Sequence, residues 1–207
     1  MGQSTVSATT PRKGKETPLC NIANALTVTR LILVPVFIWL MLQSGGVPRL
    51  WATIVFMVAA LTDQLDGHLA RSWNLVTNFG KIADPIADKA LTLTAFILLS
   101  VAGILWWWVT VVILVRELGI TALRFVLLRR NVVMPASMGG KLKTTLQMLG
   151  LVCLLMPWSL FAPAGMVQAM KVVGYVAIGA ALLVTVATGV DYVVKALRLA
   201  REAKAAE

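Results

Sequence analysis

The sequence predicts an all-α integral membrane protein with six transmembrane helices and both termini in the cytoplasm. Hydrophobic residues make up 58% of its 207 residues and charged residues only 14%. The mean hydropathy of +0.83 is far too high for a soluble domain. Six apolar runs are long enough for membrane helices, and most basic residues fall in connections that would share one side of the membrane.

The six apolar runs follow one another with short connections, which favours consecutive antiparallel helices. They cover residues 26–42, 50–70, 81–104, 106–128, 144–161 and 172–194. Residues 1–19 are rich in Thr, Ser, Pro and Lys and predict a disordered cytoplasmic tail. We expect one six-helix membrane catalytic domain over residues 20–195 and a basic cytoplasmic tail over residues 196–207.

The positions of Lys and Arg predict the orientation of these helices. If the six helices alternate, nearly all basic residues of the tails and connections lie on one side, and Arg49 and Lys171 lie on the other. Positively charged loops stay in the cytoplasm, so we expect both termini and the connection between the second and third runs on the cytoplasmic side. Topology and attraction to anionic membrane lipids account for much of the net charge of +10, and no motif supports nucleic acid as a partner.

Four aspartates at the boundary of the second and third runs form the main candidate site. At about 100° per helical residue, two of them share one face of the second helix, and the other two share a stripe of the third. Carboxylates are oxygen ligands that suit divalent cations, which in turn suit phosphate chemistry. The alternative is a pair of acidic helix ends in water. The full pattern is D-x2-D-G-x2-A-R-x8-G-x3-D-x3-D, formed by Asp63, Asp66, Gly67, Ala70, Arg71, Gly80, Asp84 and Asp88.

This pattern, present without a gap or substitution, resembles the signature of the CDP-alcohol phosphotransferase family. Members are integral membrane enzymes that displace CMP from a CDP-linked lipid or alcohol with a second alcohol. The resemblance implies six membrane helices, a homodimer and two divalent metal ions, Mg²⁺ or Mn²⁺. It further implies that the metal ligands are Asp63, Asp66, Asp84 and Asp88, and that Asp88 is also the catalytic base that takes the proton of the attacking alcohol.

The resemblance also implies where a CDP-diacylglycerol donor binds. Cytidine and diphosphate lie along the motif, and an N-x-L-T-x-x-R segment before it is similar to one in the family. The implied donor contacts are Gly67, Ala70, Arg71, Thr77, Gly80, Asn24, Thr27 and Arg30. Five of them have an alternative: Gly67 and Ala70 could serve close helix packing, Asn24 and Thr27 could cap a helix, and Arg30 could anchor the helix at the interface.

A second charged constellation lies in the fourth run and the connection after it. Arg116, Glu117 and Arg124 fall within about 100° of one another on a helix, and Lys141 and Lys143 follow at the start of the fifth run. Converging arginines and lysines suit an acceptor that carries a phosphate. The alternative is an ion pair between Glu117 and an arginine, with Arg124 reaching toward the membrane surface.

The segments R-E-L-G-I-T-A-L-R and G-K-L-K-T-T-x-Q-M are similar to those of family members whose acceptor is glycerol 3-phosphate. The resemblance therefore implies a metal-dependent transferase of phospholipid biosynthesis with CDP-diacylglycerol as donor and glycerol 3-phosphate as acceptor. We expect it in a bacterial plasma membrane, with its active site facing the cytoplasm. Alternatives within the family are cardiolipin synthase and phosphatidylinositol phosphate synthase. An alternative of another class is a membrane cation transporter, in which Gly67, Ala70, Arg71 and the basic residues would have no clear role.

Overall fold

The structure is a computed structural model that describes residues 22–73, 78–129 and 138–205. The description is confined to the backbone for residues 22–27, 63–73, 78–88, 124, 126–129, 138–141 and 195–205. These parts of the chain form six α-helices, which confirms the predicted all-α class. The helices are α1 (Ile22–Leu42), α2 (Gly46–Trp73), α3 (Asn78–Val101), α4 (Trp107–Arg129), α5 (Met138–Leu155) and α6 (Ala164–Ala205).

All six helices contribute to one apolar core. Helix α1 packs against α2 and α3, α5 packs against α6, and α4 contacts both α3 and α6. The rings of Phe37 and Phe56 join α1 to α2, with centroids 5.7 Å apart. The acidic motif of α2 and α3 and the charged segment of α4 and α5 therefore belong to one packed bundle. Buried representatives of the six helices are Phe37, Phe56, Phe96, Ile113, Leu151 and Ile178.

The fifth helix ends earlier than the predicted run 144–161, because α5 stops at Leu155. Pro157 explains the difference. Proline has no N–H to donate, and it disfavours the helical conformation of the residue before it. The chain makes a 3₁₀ turn at Trp158–Leu160, and α6 begins at Ala164, directly after a second proline.

Arg49 caps the C-terminal end of α5. Its Nη2 donates to the carbonyl of Leu154 at 2.6 Å, and its Nε donates to the carbonyl of Leu155 at 2.8 Å. The last carbonyls of a helix have no partner within the helix, and a cation is favoured at that end of the helix dipole. From the sequence, Arg49 is only a charge on the far side of the membrane, whereas the structure shows that it joins the start of α2 to the end of α5.

Replacing Arg49 by glutamine should lower the free energy of unfolding by about 1.5–3 kcal/mol, the usual range for hydrogen bonds to a charged group. Denaturant unfolding of the protein in detergent would measure the change. Lys171→Gln is the matched control, because it removes an exposed positive charge near the same end of the bundle and should leave stability unchanged. Equal stability of the two variants would contradict the capping role.

Two glycines allow α5 and α6 to approach closely. A Cβ atom on Gly150 would lie 2.6 Å from Cδ1 of Ile178, and a Cβ atom on Gly174 would lie 2.8 Å from Cδ2 of Leu154. These side-chain ends could turn aside, but a Cβ atom on Gly150 would also lie 3.1 Å from the carbonyl oxygen of Gly174, and one on Gly174 would lie 3.2 Å from Cβ of Cys153. A side chain at either position would therefore crowd the neighbouring helix. Small residues at such contacts are typical of membrane helices, whose backbones pack closely.

The connection between α3 and α4 lies at the end of the bundle opposite the acidic motif. Gly103 has a φ of +68° in this turn, a conformation that glycine adopts without strain. The hydroxyl of Tyr175 in α6 donates to the carbonyl of Ile104 at 2.7 Å. Three consecutive tryptophans, Trp106–Trp108, are each more than half exposed here, which is expected of indole rings at headgroup depth.

One described segment, Ala164–Val194 of α6, combines the length and apolar character of a membrane span, with a mean hydropathy of 2.0. Helix α6 continues beyond it to Ala205, so the sixth predicted run and most of the predicted basic tail form one helix. Shorter apolar segments lie in four other helices. They are Val28–Leu42, Gly46–Thr62, Lys89–Val101 and Leu142–Leu155.

Candidate active site

The acidic motif is divided between two consecutive helices. Helix α2 contains Asp63, Asp66, Gly67, Ala70 and Arg71, and helix α3 contains Gly80, Asp84 and Asp88. Thr77 lies outside the described residues. Both halves of the motif are thus helical, as the spacing predicts. No cluster of three His, Cys, Asp or Glu side chains is found where side chains are described, and the four aspartates lie outside that set.

Helical geometry groups the motif residues by face. At about 100° per residue, Asp63, Asp66 and Gly67 fall within an arc of roughly 100° on α2. Successive residues of the α3 stripe, such as Asp84 and Asp88, are spaced four apart and drift by only about 40° per step. The backbone therefore carries the carboxylates as two stripes on helices that contact each other.

Helix α1 contains Asn24, Thr27 and Arg30, the predicted donor contacts that precede the acidic motif in the sequence. It begins at Ile22, so Asn24 and Thr27 lie within the helix rather than at its N-terminal cap. Arg30 is fully buried, which does not fit an anchor at the membrane surface. A buried guanidinium requires polar surroundings. Because α1 packs against both α2 and α3, this charge lies within the helices that carry the acidic motif.

Glu117 is the centre of a cluster of three cations. Its Oε2 accepts a hydrogen bond from Lys89 Nζ at 2.7 Å, and its Oε1 accepts bonds from Arg116 Nη1, at 3.0 Å, and from Lys143 Nζ. Lys143 is 6% exposed and Glu117 9% exposed. Three helices, α3, α4 and α5, meet at this carboxylate, and we call the four residues the basic cluster. The ion pair that the sequence offers as an alternative is present between Glu117 and Arg116.

Arg116 also extends the basic cluster to α6. Its Nε donates to the carbonyl of Thr185 at 3.2 Å, and its Nη2 donates to Oγ1 of Thr188 at 2.9 Å. Gly189 of α6 lies beside the same side chain, since a Cβ atom there would be in van der Waals contact with Arg116, 3.4 Å from its Cγ. The guanidinium is therefore held on two sides, by Glu117 and by the threonines of α6.

The structure brings together two of the four predicted acceptor contacts. Arg116 and Lys143 meet at Glu117. Arg124 lies two turns further along α4, and Lys141 lies in the first turn of α5. Their side chains are outside the described set, so their part in the site stays a prediction.

Two polar residues near the predicted contacts were not predicted as site residues. Lys89 directly follows Asp88 on α3 and joins the basic cluster through Glu117. The sequence does contain a signal that could have identified Lys89. It is a lysine at the start of the apolar segment Lys89–Val101, where a charge requires a partner. Gln147 lies one turn after Lys143 on α5 and is 3% exposed. Among the described side chains, its Nε2 has no hydrogen-bond partner, which makes it a candidate donor to a bound molecule.

The acidic motif lies on two neighbouring helices of an all-helical bundle. Comparison with known proteins identifies the class of transferase to which this arrangement belongs. Residues 20–199 match the family model for CDP-alcohol phosphatidyltransferase. This match covers most of the chain, and the chain belongs to the CDP-alcohol phosphatidyltransferase family.

Curated bacterial relatives share most of their length with this chain. A Mycobacterium tuberculosis protein named "Probable phosphatidylglycerophosphate synthase" is 46% identical over 183 residues, which are 87% of this chain and 83% of the relative. The CDP-diacylglycerol–glycerol-3-phosphate 3-phosphatidyltransferase of Bacillus subtilis is 39% identical over 148 residues, 66% of this chain and 77% of the relative. The protein of the same name from Rickettsia typhi is 36% identical over 172 residues, 83% of this chain and 94% of the relative.

Proposed function

We infer that this protein is a phosphatidyltransferase of phospholipid biosynthesis. It makes phosphatidylglycerophosphate and CMP from CDP-diacylglycerol and glycerol 3-phosphate. The observation that carries the inference is 46% identity across 87% of the chain to a relative whose name describes a phosphatidylglycerophosphate synthase. The unbroken acidic motif supports the CDP-linked donor, and the basic cluster around Glu117 supports an acceptor that carries a phosphate.

The proposed location is the bacterial plasma membrane, which all six helices cross. Apolar side chains exposed on every helix support this arrangement, since soluble proteins rarely expose large continuous apolar surfaces. Leu183 on α6, for example, is 74% exposed. The distribution of Lys and Arg supports cytoplasmic termini and an active site that faces the cytoplasm. One exposed apolar residue for each of the six helices is Trp39, Trp51, Val101, Val115, Leu149 and Leu183.

The proposed ligands of two divalent cations, Mg²⁺ or Mn²⁺, are Asp63, Asp66, Asp84 and Asp88. Four carboxylates from adjoining parts of α2 and α3 form an all-oxygen donor set that suits either ion. When bound, the ions supply positive charge that stabilises the diphosphate and the leaving nucleotide. The ions also explain how four carboxylates can lie close together without strong repulsion.

The donor, CDP-diacylglycerol, is proposed to bind along the same face of α2. The absence of large side chains at Gly67 and Ala70 supports close approach of a nucleotide to the backbone. Arg71 is proposed to counter phosphate charge, and buried Arg30 adds a guanidinium on the neighbouring helix. The complete set of proposed donor contacts is Gly67, Ala70, Arg71, Thr77, Gly80, Asn24, Thr27 and Arg30.

Asp88 is the proposed general base. It takes the proton from the terminal hydroxyl of glycerol 3-phosphate, whose oxygen forms a bond to the lipid-side phosphorus. The bond from that phosphorus to the bridging oxygen breaks, and CMP leaves. A base is required because the attacking hydroxyl becomes acidic as its bond to phosphorus forms. The place of Asp88, one residue before Lys89 of the basic cluster, supports this role.

The phosphate of glycerol 3-phosphate is proposed to bind to Arg116, Arg124, Lys141 and Lys143. Arg116 and Lys143 already share a carboxylate with Lys89, so positive charge is concentrated where three helices meet. Guanidinium and ammonium groups are the usual protein ligands of phosphate monoesters. The further proposed partners are membrane lipids and a second copy of the chain in a homodimer, on the basis of the family resemblance.

An acceptor comparison tests the function. Purified protein with CDP-diacylglycerol and Mg²⁺ should convert glycerol 3-phosphate to phosphatidylglycerophosphate, with release of CMP in equal amount. We expect kcat/KM with glycerol 3-phosphate as acceptor to exceed kcat/KM with inositol phosphate or phosphatidylglycerol by roughly 10²-fold or more. A site built for one acceptor leaves some of its buried polar groups unpaired when another acceptor binds. Preference for inositol phosphate or phosphatidylglycerol would instead support phosphatidylinositol phosphate synthase or cardiolipin synthase. Cation flux without any lipid product would support a transporter.

A further inference from the structure

Glu117 accepts a hydrogen bond from each of the three cations of the basic cluster. Its two carboxylate oxygens accept hydrogen bonds from α3, from its own helix α4 and from α5. Its side chain is only 11% exposed, so water screens these contacts weakly. A single ion pair between Glu117 and Arg116 would not account for the two further bonds from Lys89 and Lys143.

The cations of the basic cluster need this carboxylate to stay together. Lys89, Arg116 and Lys143 are positive charges that would repel one another in a poorly solvated place. Because three cations meet one carboxylate, two positive charges are left uncompensated within the basic cluster. An ammonium group has three N–H donors, and each lysine uses one of them on Glu117, so donors remain for a further anion.

The same contacts connect the basic cluster to the rest of the candidate site. Lys89 is the next residue after Asp88, so its bond to Glu117 fixes α4 and α5 relative to the helix that carries the proposed base. On the other side, Arg116 is held by Thr185 and Thr188 of α6. Glu117 therefore determines how the cations of the basic cluster are placed relative to the acidic motif.

We propose that Glu117 is a positioning residue for the acceptor: its carboxylate gathers Lys89, Arg116 and Lys143 into a site with two uncompensated positive charges, which matches the dianion of a phosphate monoester. Lys89 thereby joins the acceptor site as a third cation. The proposal rests on the proposed function, since it concerns the phosphate of glycerol 3-phosphate. It assigns Glu117 no contact with substrate and no transfer of a proton.

Glu117→Gln and Glu117→Asp test whether charge or shape is responsible. Glutamine keeps the length of the side chain but loses its charge, and aspartate keeps the charge on a shorter side chain. We expect Glu117→Gln to raise the KM for glycerol 3-phosphate on the order of tenfold, while the KM for CDP-diacylglycerol changes less than about threefold. The KM of Glu117→Asp for glycerol 3-phosphate should lie between those of Glu117→Gln and the unaltered protein. A lower KM for glycerol 3-phosphate in Glu117→Gln than in Glu117→Asp would overturn the proposal.

Arg49→Gln is the structural control, because Arg49 also joins two helices of the bundle but lies at the other end of α5. Its loss should lower thermal stability without a selective change in the acceptor KM. If the Glu117 variants do not fold, Lys89→Met carries the same expectation of a selective rise. Parallel changes in both KM values for Glu117→Gln or Lys89→Met, matching those of Arg49→Gln, would show a structural role only and overturn the proposal.

The unaltered protein separates this proposal from the proposed function. If it forms no lipid product from glycerol 3-phosphate, the proposed function fails, and the role of Glu117 fails with it. If it is active and the acceptor KM is unchanged in both Glu117→Gln and Lys89→Met, only the positioning role of Glu117 is removed.

Discussion

Asp88→Asn should lower the rate of phosphatidylglycerophosphate formation by about 10³-fold or more. A positioned general base typically contributes roughly 10²–10⁴-fold, and this carboxylate is also a proposed metal ligand. Asparagine is nearly the same size and cannot accept the proton of the attacking hydroxyl. The measurement is single-turnover formation of lipid product with both substrates saturating, together with binding of CDP-diacylglycerol, which should change comparatively little.

A matched control removes a carboxylate that lies outside the motif. Glu202→Gln, near the end of α6, neutralises one negative charge in the same way and should keep the rate within about twofold, as expected for substitutions away from a site. Near-normal turnover of correctly inserted Asp88→Asn protein would exclude Asp88 from the chemistry. It would leave the other three aspartates as the candidates.

Removal of divalent metal should abolish activity, and Mg²⁺ or Mn²⁺ should restore it. Metal ions stabilise transition-state charge in phosphoryl transfer by several kcal/mol. At about 1.4 kcal/mol per tenfold change in rate, chelation should slow the reaction on the order of 10²- to 10³-fold. The assay is a titration with chelator followed by return of each ion. Full activity in excess chelator would rule out the metal role of the aspartates.

Thermal unfolding gives a second readout of metal binding that does not depend on turnover. A ligand that binds only the folded protein stabilises it by an amount that grows with the logarithm of the ligand concentration relative to its Kd, and this raises the midpoint of unfolding. Mn²⁺ should therefore raise the midpoint of the unaltered protein, and the rise should shrink in Asp66→Asn. An equal rise in both proteins would place the bound ion elsewhere.

The helices could be predicted because long apolar runs leave few alternatives to helical structure in a protein this hydrophobic. The acidic motif could be placed on two helices because Asp63 and Asp66 are three residues apart and Asp84 and Asp88 are four apart, which are the spacings of one helix face. The end of α5 was predicted six residues too late. The prediction ran too far because the residues after Leu155 are still mostly apolar. Hydrophobicity alone does not show that Pro157 ends the helix.

The partners of the charged residues could not be predicted from spacing. Lys89 and Glu117 are 28 residues apart, and Arg49 and Leu154 are 105 residues apart. Such contacts depend on how helices pack, which the local periodicity of a sequence does not determine. The sequence places Arg116, Glu117 and Lys143 in one charged constellation and offers a pair of Glu117 with an arginine. The structure adds the bonds from Lys143 and Lys89 to Glu117, and the acceptor role of these residues stays a prediction.

The close contact of α5 and α6 makes the distance between these two helices depend on the size of the residues at the contact. Gly150 is seven residues, or about 10 Å, along α5 from Lys143, and α6 carries the threonines that hold Arg116. A larger side chain at Gly150 or Gly174 would separate the helices and thereby shift two of the three cations relative to each other. If the basic cluster binds the phosphate of the acceptor as proposed, the volume of an uncharged residue remote from the substrate would change the affinity for that anion.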